Sequence, residues 1–182
     1  MDRGNRYEAA FESYLQCHRL CYVAVHEGRR SYLGPTRVKN LDFIVHGDGG
    51  LGLLVDVKGR RYPGGTADKP RRVWESWTTQ EDVDGLARWA EVFGQGYCGL
   101  FVFVYHLAAE VTPPDDLGDL WTWRGHRFLL RAVTVDEYRQ YQRVRSPRWG
   151  TVALSSGAFR EVARPFRYFT REFHPEAEAC SF

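Results

Sequence analysis

The hydrophobic and polar positions near the start of the chain follow a helical period and then a strand period. Tyr7, Phe11 and Tyr14 recur three or four positions apart. This spacing predicts an amphipathic helix over 7–20. Three short apolar segments follow, separated by turn residues, as is typical of strands. The Gly-Asp-Gly-Gly sequence at 47–50 favours a hairpin turn between the second and the third. The three strands are predicted at 20–26, 38–46 and 51–59.

The pattern then changes to a polar segment, a second helix and a fully apolar strand. Segment 60–76 contains two prolines among glycine and basic residues, so we predict a long loop. Residues 78–93 place apolar side chains at helical spacing, and Gly94 follows the last turn, which is typical of a helix end. Residues 97–107 are apolar at consecutive positions, which indicates a central strand covered on both faces.

The remaining sequence predicts smaller elements added to this core. A strand pair is expected on either side of a turn at 124–125, and the sequence Thr134-x-x-Glu137 predicts a capping box at the start of a helix. A helix, three strands, a helix and a strand over 6–107 predict an α/β fold in which helices flank the sheet. Because neither an internal repeat nor a linker divides the chain, we expect one domain over 1–182, with additions at 120–170.

Composition favours a protein of the cytoplasm. The chain has 182 residues, of which 43% are hydrophobic. It has neither an apolar segment of the roughly 18 residues that span a membrane nor an N-terminal secretion signal. Its four irregularly spaced cysteines indicate reduced thiols rather than a disulfide framework. We therefore expect no membrane partner, and the net charge of +2 is too small to imply nucleic acid by itself.

An acid and a base are expected on one face of the third strand. Side chains alternate along a strand, so Leu54, Asp56 and Lys58 share a face. A charged side chain among apolar neighbours either forms an ion pair or serves a site at the strand's end. Because the chain has many acidic residues, an acid two positions before a lysine is close to a chance occurrence. A simple ion pair between Asp56 and Lys58 is therefore the competing interpretation.

The hairpin strengthens the case for a site. Its pairing is expected to place Asp42 opposite residue 55 or 56, within reach of Asp56. Two neighbouring carboxylates repel each other unless a cation lies between them. Oxygen ligands of this kind suit Mg²⁺ or Mn²⁺, which lower the pKa of bound water and neutralise charge on a phosphate. Lys58 would then position or activate the attacking water, or stabilise the developing negative charge.

The order of a helix glutamate, a strand aspartate and an Asp-x-Lys strand resembles the PD-(D/E)xK nuclease superfamily, which includes restriction enzymes, Holliday-junction resolvases and Mrr-like endonucleases. The resemblance covers residues 7–59. It implies a restriction-endonuclease-like α/β core, with a central mixed sheet flanked by helices. It also implies an endonuclease that hydrolyses DNA with Mg²⁺ or Mn²⁺. The resemblance assigns Glu8, Asp42 and Asp56 as metal ligands and Lys58 as a further catalytic residue.

Some positions of the motif leave alternatives. Glu8 fits the helix ligand best, and Glu12 is the alternative one turn away. Gln80 stands near a helix start where some members place a catalytic glutamine, although a solvent-facing role fits equally well. The segment that begins at Arg6 is similar to the HYExAFE motif of an uncharacterised bacterial group, with Arg6 replacing histidine. Leu41 replaces the proline of the superfamily's name, which does not affect the metal chemistry.

Basic residues in or beside two predicted loops flank the proposed site and are candidates for binding nucleic acid. A solvated basic surface is the alternative interpretation. The resemblance implies DNA as the partner, with RNA as a second candidate, and it leaves a homodimer open. A catalytically inactive nucleic-acid-binding module of the same fold is the alternative function. The basic residues are Arg29, Arg30, Arg37, Lys39, Arg60, Arg61, Arg71 and Arg72.

Overall fold

The structure is a computed structural model. It describes residues 5–25, 31–33, 36–47, 50–62, 65–66, 69–70, 74–108, 111 and 118–171, and the side chains at 5–25, 39–47, 50–62, 74–108, 111 and 118–170. The helices are α1 (Arg6–Cys17), α2 (Gln80–Phe93), α3 (Val135–Tyr141), α4 (Ser156–Val162) and α5 (Phe166–Arg171). The strands are β1 (Cys21–Ala24), β2 (Ser31–Leu33), β3 (Thr36–Val38), β4 (Phe43–His46), β5 (Gly52–Arg61), β6 (Gly65–Thr66), β7 (Lys69–Pro70), β8 (Thr78–Thr79), β9 (Tyr97–Leu107), β10 (Asp119–Trp123), β11 (His126–Thr134), β12 (Arg143–Ser146), β13 (Thr151–Ala153) and β14 (Arg164–Pro165).

One mixed sheet forms the centre of the fold. Its strands lie in the order β1-β4-β5-β9-β11-β10, and β14 pairs with β11. β5 and β9 are parallel, whereas their other neighbours in this sheet are antiparallel. β9 lies between β5 and β11 and has the predicted bounds, which confirms it as a central strand. The predicted α/β class with a central mixed sheet is confirmed.

Helices cover both faces of this sheet, and β5 contributes side chains to each face. Leu53 and Val55 point to a cluster that includes Phe11 of α1 and Phe166 of α5. Leu54 points to the opposite cluster, which includes residues of α2, α3 and α4. Because side chains alternate along a strand, Asp56 and Lys58 belong to the face covered by α2.

The three strands predicted at 20–26, 38–46 and 51–59 have different bounds in the structure, and the first spans only Cys21–Ala24. The second begins at Phe43 rather than at residue 38, because β3 pairs with β2 in a separate hairpin. The third continues to Arg61, two residues beyond Gly59, because Arg60 and Arg61 pair with the long neighbouring strand β9. The end of β5 is therefore set by its partner, and these two residues do not begin a loop.

A second, three-stranded sheet joins β8 to the C-terminal half of the chain, in the order β12-β13-β8. The third helix ends at Tyr141, earlier than the predicted end near residue 144, because Arg143–Ser146 forms β12. The predicted cap Thr134 is confirmed, and Thr79 and Ser155 cap α2 and α4 in the same way. β8 lies directly before α2, so this small sheet fixes the start of α2. None of the described helices combines the length and apolarity needed to cross a membrane.

Candidate metal and phosphodiester site

The candidate site lies where β5 extends past its shorter neighbour β4. The last pair between them joins Phe43 to Val55. Beyond this point, no strand among the described residues pairs with the backbone of β5 on that side. The carboxylate of Asp42 takes its place: the backbone N of Val57 donates to Asp42 Oδ2 at 2.6 Å. The backbone N of Asp42 also donates to the carbonyl oxygen of Val55 at 2.8 Å, so Asp42 lies beside Asp56, in the predicted register.

Lys58 lies between two carboxylates. Its Nζ is 2.7 Å from Oδ1 of Asp56 and 3.1 Å from Oδ2 of Asp82. All three side chains are nearly covered, with exposed side-chain fractions of 13% for Lys58, 9% for Asp56 and 4% for Asp82. The simple Asp56–Lys58 ion pair is thus part of a larger charged group that also includes an acid from α2.

Asp82 is the functional candidate that the sequence analysis missed. It is the third residue of α2 and forms a capping box with Thr79. Its Oδ2 accepts hydrogen bonds from Thr78 Oγ1 at 2.6 Å and from the Thr79 backbone N at 3.0 Å, and its Oδ1 pairs with Lys39. The Thr79-x-x-Asp82 spacing is a visible capping signal. Capping orients the carboxylate, and the packing of α2 on β5 brings it to Lys58.

Burial and neighbouring charges raise the pKa of Asp42 and of Asp56, whereas the pKa of Asp82 is lowered. Burial and repulsion by Asp56 raise the pKa of Asp42 to about 8, against the hydrogen bond from Val57. Burial raises the pKa of Asp56 to about 6, although Lys58 opposes this shift. Burial also disfavours the charged form of Asp82, but Lys58 and Lys39 outweigh it and hold its pKa below the usual range.

The pKa of Lys58 shows which charges dominate its surroundings. Burial would lower this pKa, but Asp56 and Asp82 together raise it above the ordinary lysine value. Lys58 is therefore a protonated ammonium group at neutral pH. Its charge is shared by Asp56 and Asp82, so Asp42, with a pKa of about 8, is a buried and mostly protonated carboxyl group at neutral pH in the metal-free protein.

The donor chemistry at this position fits a divalent cation. Asp42 and Asp56 offer carboxylate oxygens, and the charge of Glu8 raises the pKa of Asp42 further, which places Glu8 close enough to interact with it. A dication would supply the positive charge that these acids lack. Within the part of the chain that the structure describes, no three acidic, histidine or cysteine side chains already form an ion-sized cluster.

The two glutamates of α1 have different surroundings. Glu8 is 7% exposed and accepts a hydrogen bond from Asn5 Nδ2 at 2.5 Å. Glu12 accepts from the hydroxyl of Tyr22 on β1 at 3.1 Å. α1 approaches β5 closely at Gly59, where a Cβ atom would lie 2.1 Å from the ring of Tyr7. The placement therefore favours Glu8 as the acid of α1 that serves the site.

Gln80 does not join this charged group. It is the first residue of α2, and its Nε2 donates to Asp84 Oδ1 at 2.9 Å. Its backbone N donates to the carbonyl oxygen of Gly150 at 2.8 Å. The first residue of a helix and the third point in different directions, so the capping residue Asp82 reaches Lys58 instead. The structure therefore does not support Gln80 as a catalytic residue.

The predicted nucleic-acid contacts have different placements. Arg60 is 9% exposed, donates to the carbonyl oxygens of Gly59 and Trp77, and lies 4.0 Å from the centroid of the Trp77 ring. Its assignment to an exposed DNA-binding loop is wrong, because it packs inside the structure. Arg61 is exposed at the end of β5, and the exposed Lys39 pairs with Asp82. Arg37 is described by its backbone alone; Arg29, Arg30, Arg71 and Arg72 lie outside the described residues.

Comparison with known proteins supports the fold. No protein-family model and no curated protein sequence matches this chain. Among solved structures, the chain is similar to Hjc, a Holliday junction resolvase from the archaeal hyperthermophile Archaeoglobus fulgidus. The TM-score is 0.50 at 13% sequence identity, and the match covers 88% of this chain and 95% of that one. This similarity shows the restriction-endonuclease-like fold. The similarity to the HYExAFE group stays a prediction.

Proposed function

We propose that this protein is a metal-dependent nuclease that hydrolyses phosphodiester bonds within DNA. The observation that carries the proposal is the position of Lys58, between Asp56 and Asp82 and near Asp42, where β5 emerges from the sheet. An ammonium group beside buried acidic groups that could bind a metal cation is suited to a polyanionic substrate. The fold shared with a Holliday junction resolvase supports the same conclusion.

In the proposed site, Asp42, Asp56 and Glu8 would hold Mg²⁺ or Mn²⁺. The bound cation would neutralise phosphate charge and lower the pKa of a water molecule. Lys58 is protonated, so it is suited to donate a hydrogen bond to a phosphate oxygen rather than to remove a proton from water. In the reaction, the water oxygen bonds to phosphorus and gives up a proton to the solvent, while the bond from phosphorus to the leaving oxygen breaks and the leaving oxygen takes up a proton from the solvent. Lys58 stabilises the negative charge that develops on the phosphate.

Asp82 acts in this proposal through Lys58. Its two hydrogen bonds from the 78–79 segment fix the carboxylate, and the carboxylate in turn fixes the ammonium group. A lysine side chain has several rotatable bonds, so a second anchor reduces the conformational freedom lost when a phosphate binds. Asp82 is therefore a positioning residue.

The proposal extends to location and assembly. In the described part of the chain, Cys17, Cys21 and Cys98 are free thiols, which agrees with the proposed location in the cytoplasm. DNA is the proposed partner, and a homodimer is the proposed assembly. Light scattering with and without DNA would measure the assembly directly.

The test is cleavage of supercoiled plasmid and of four-way-junction DNA, with Mg²⁺, with Mn²⁺ and with EDTA. We expect cleavage with either metal and a loss of more than about 100-fold in Lys58→Ala and in Asp56→Asn, because the first removes the positive charge that stabilises the transition state and the second removes a proposed metal ligand. Arg88→Ala is the control, since Arg88 is exposed and pairs with Glu91. Cleavage retained in both site variants would reject the proposal. DNA binding without cleavage under either metal would favour the inactive binding module.

A further inference from the structure

A groove lined by tryptophan and arginine lies next to the candidate site. Its volume is about 620 Å³, within the range of roughly 300–1,000 Å³ that is usual for ligand pockets. Thr79 belongs to both features, because it lines the groove and its backbone N donates to Asp82 at 3.0 Å. The groove therefore adjoins the segment that positions Lys58. Its lining residues are Trp77, Thr79, Arg145, Ser146, Trp149 and Thr151.

Trp149 presents an aromatic ring to solvent at this groove. Its exposed fraction is 71%, the highest among the large hydrophobic residues that the structure describes as exposed. Its ring contact in the described part of the chain is with the guanidinium of Arg148, 5.4 Å from the ring centroid. An exposed tryptophan is costly to leave in water and is typical of a recognition surface.

The backbone around Trp149 is held firmly. Gly150 follows it in the left-handed region, with a φ of 54°, and its carbonyl oxygen accepts from the backbone N of Gln80 at 2.8 Å. Thr151 then pairs with Thr79 in the small sheet. The ring is thus presented on a turn that is tied to the start of α2. Such preorganisation lowers the conformational cost of binding.

The groove also carries positive charge. Arg145 is exposed and lies 5.1 Å from the centroid of the Trp77 ring, whose contact with Arg60 is still shorter, at 4.0 Å. Arg148 is exposed as well. Over the described ranges, neither Arg145 nor Arg148 pairs with a carboxylate. The Trp77 ring is thus covered by guanidinium groups, whereas the Trp149 ring is exposed.

We propose that this groove binds unpaired nucleotides of a DNA strand next to the phosphodiester bond that is cut. Trp149 stacks on a base, and Arg145 and Arg148 contact the neighbouring phosphates. Exposed aromatic rings beside arginines are the chemistry by which proteins hold single-stranded nucleic acid. The inference rests on the proposed function and makes it more specific: the substrate is DNA with unpaired bases, as at a branch, a flap or a gap.

Binding is measured by fluorescence anisotropy in EDTA, so that cleavage does not interfere. The probes are a fluorescein-labelled oligothymidylate of about 20 nucleotides and a blunt duplex of the same length. We expect Trp149→Ala to weaken oligothymidylate binding by about tenfold or more and to change duplex binding little. Trp149→Phe keeps most of the affinity, because a ring remains. Arg145→Ala weakens binding and reduces its dependence on salt.

Leu120→Ala is the control, because Leu120 is also an exposed apolar residue, 49% exposed, and lies on β10 at the far edge of the sheet. Circular dichroism of each variant verifies folding. Unchanged oligothymidylate binding in both Trp149→Ala and Arg145→Ala would overturn the inference. Thymidine monophosphate that binds as tightly as the oligonucleotide, with the same dependence on Trp149, would also overturn it in favour of a small-nucleotide site.

The outcomes separate this inference from the proposed function. If Lys58→Ala abolishes cleavage while Trp149→Ala binds and cuts like the wild type, the nuclease stands and the groove assignment fails. If the wild type never cuts DNA but Trp149→Ala selectively loses single-strand binding, the groove assignment stands and the nuclease fails. If Trp149→Ala selectively loses single-strand binding, and if its cleavage of flap DNA falls further below the wild-type rate than its cleavage of duplex DNA does, both proposals are supported.

Discussion

Oδ2 of Asp82 lies 3.1 Å from Nζ of Lys58, and the two residues come from different elements, a helix start and a strand. The contact joins the Asp-x-Lys strand to the capping box of α2. The lysine consequently has two acidic partners, Asp56 and Asp82, before any substrate arrives. This double pairing affects both the charge around Lys58 and the position of its ammonium group.

Asp82→Asn is expected to slow cleavage by about 10-fold to 100-fold, as is typical for residues that orient a catalytic group. Asparagine retains an oxygen that can accept the capping hydrogen bond but lacks the charge that holds Lys58. Single-turnover cleavage should therefore show a lower maximal rate, with DNA affinity little changed. Asp84→Asn is the matched control, because Asp84 lies on the exposed side of the same helix and accepts from Gln80. An equal loss in both variants would contradict the prediction.

Lys58→Met is expected to destabilise the metal-free protein by about 3 kcal/mol, because it leaves Asp56 and Asp82 without their shared cation in a nearly buried position. Urea denaturation monitored by circular dichroism measures the change. Adding Asp56→Asn to Lys58→Met should recover part of the loss. A variant as stable as the wild type would show that Lys58 contributes little to folding.

The metal-free protein is expected to lose stability as the pH rises from 5 to about 8.5. Asp42 has a folded pKa of about 8, against an ordinary value of 3.8. A raised pKa means that the stability contributed by Asp42 is fully present below the ordinary value and is lost as the pH rises through about 8. Asp56, with a pKa of about 6, acts in the same direction. Thermal unfolding of Asp42→Asn should show a weaker pH dependence, and an unchanged slope would argue against this assignment.

Mg²⁺ is expected to stabilise the folded protein at pH 8, by about 2.7 kcal/mol when its free concentration is about 100 times its Kd. Isothermal titration calorimetry measures binding, and thermal unfolding measures the gain. Both effects should disappear in Asp42→Asn and weaken in Glu8→Gln. Glu12→Gln is the matched control, because Glu12 lies one helical turn away and accepts from Tyr22. A larger effect of Glu12→Gln than of Glu8→Gln would assign the ligand to Glu12.

Sequence reasoning succeeded where local signals are strong. The uninterrupted apolar run fixed the bounds of β9, side-chain caps fixed the helix starts, and the hairpin turn fixed the register of Asp42. It failed where packing between elements that are distant in sequence determines the position of a side chain. Asp82 reaches Lys58 only because α2 packs on β5, and Arg60 is buried because pairing with β9 extends β5. Neither effect is visible in the local sequence.

The register of the β4–β5 hairpin decides which face of the sheet the side chain of Asp42 points to. Four pairs, from Phe43 with Val55 to His46 with Gly52, hold β4 against β5. Because side chains alternate along a strand, a slip of one residue would turn Asp42 toward the opposite face of the sheet, where Phe11 packs. Inserting or deleting one glycine in the turn that joins these strands would then abolish the activity of the proposed nuclease, although Asp42, Asp56 and Lys58 are all kept. In the proposed nuclease, activity would therefore depend on the length of this turn.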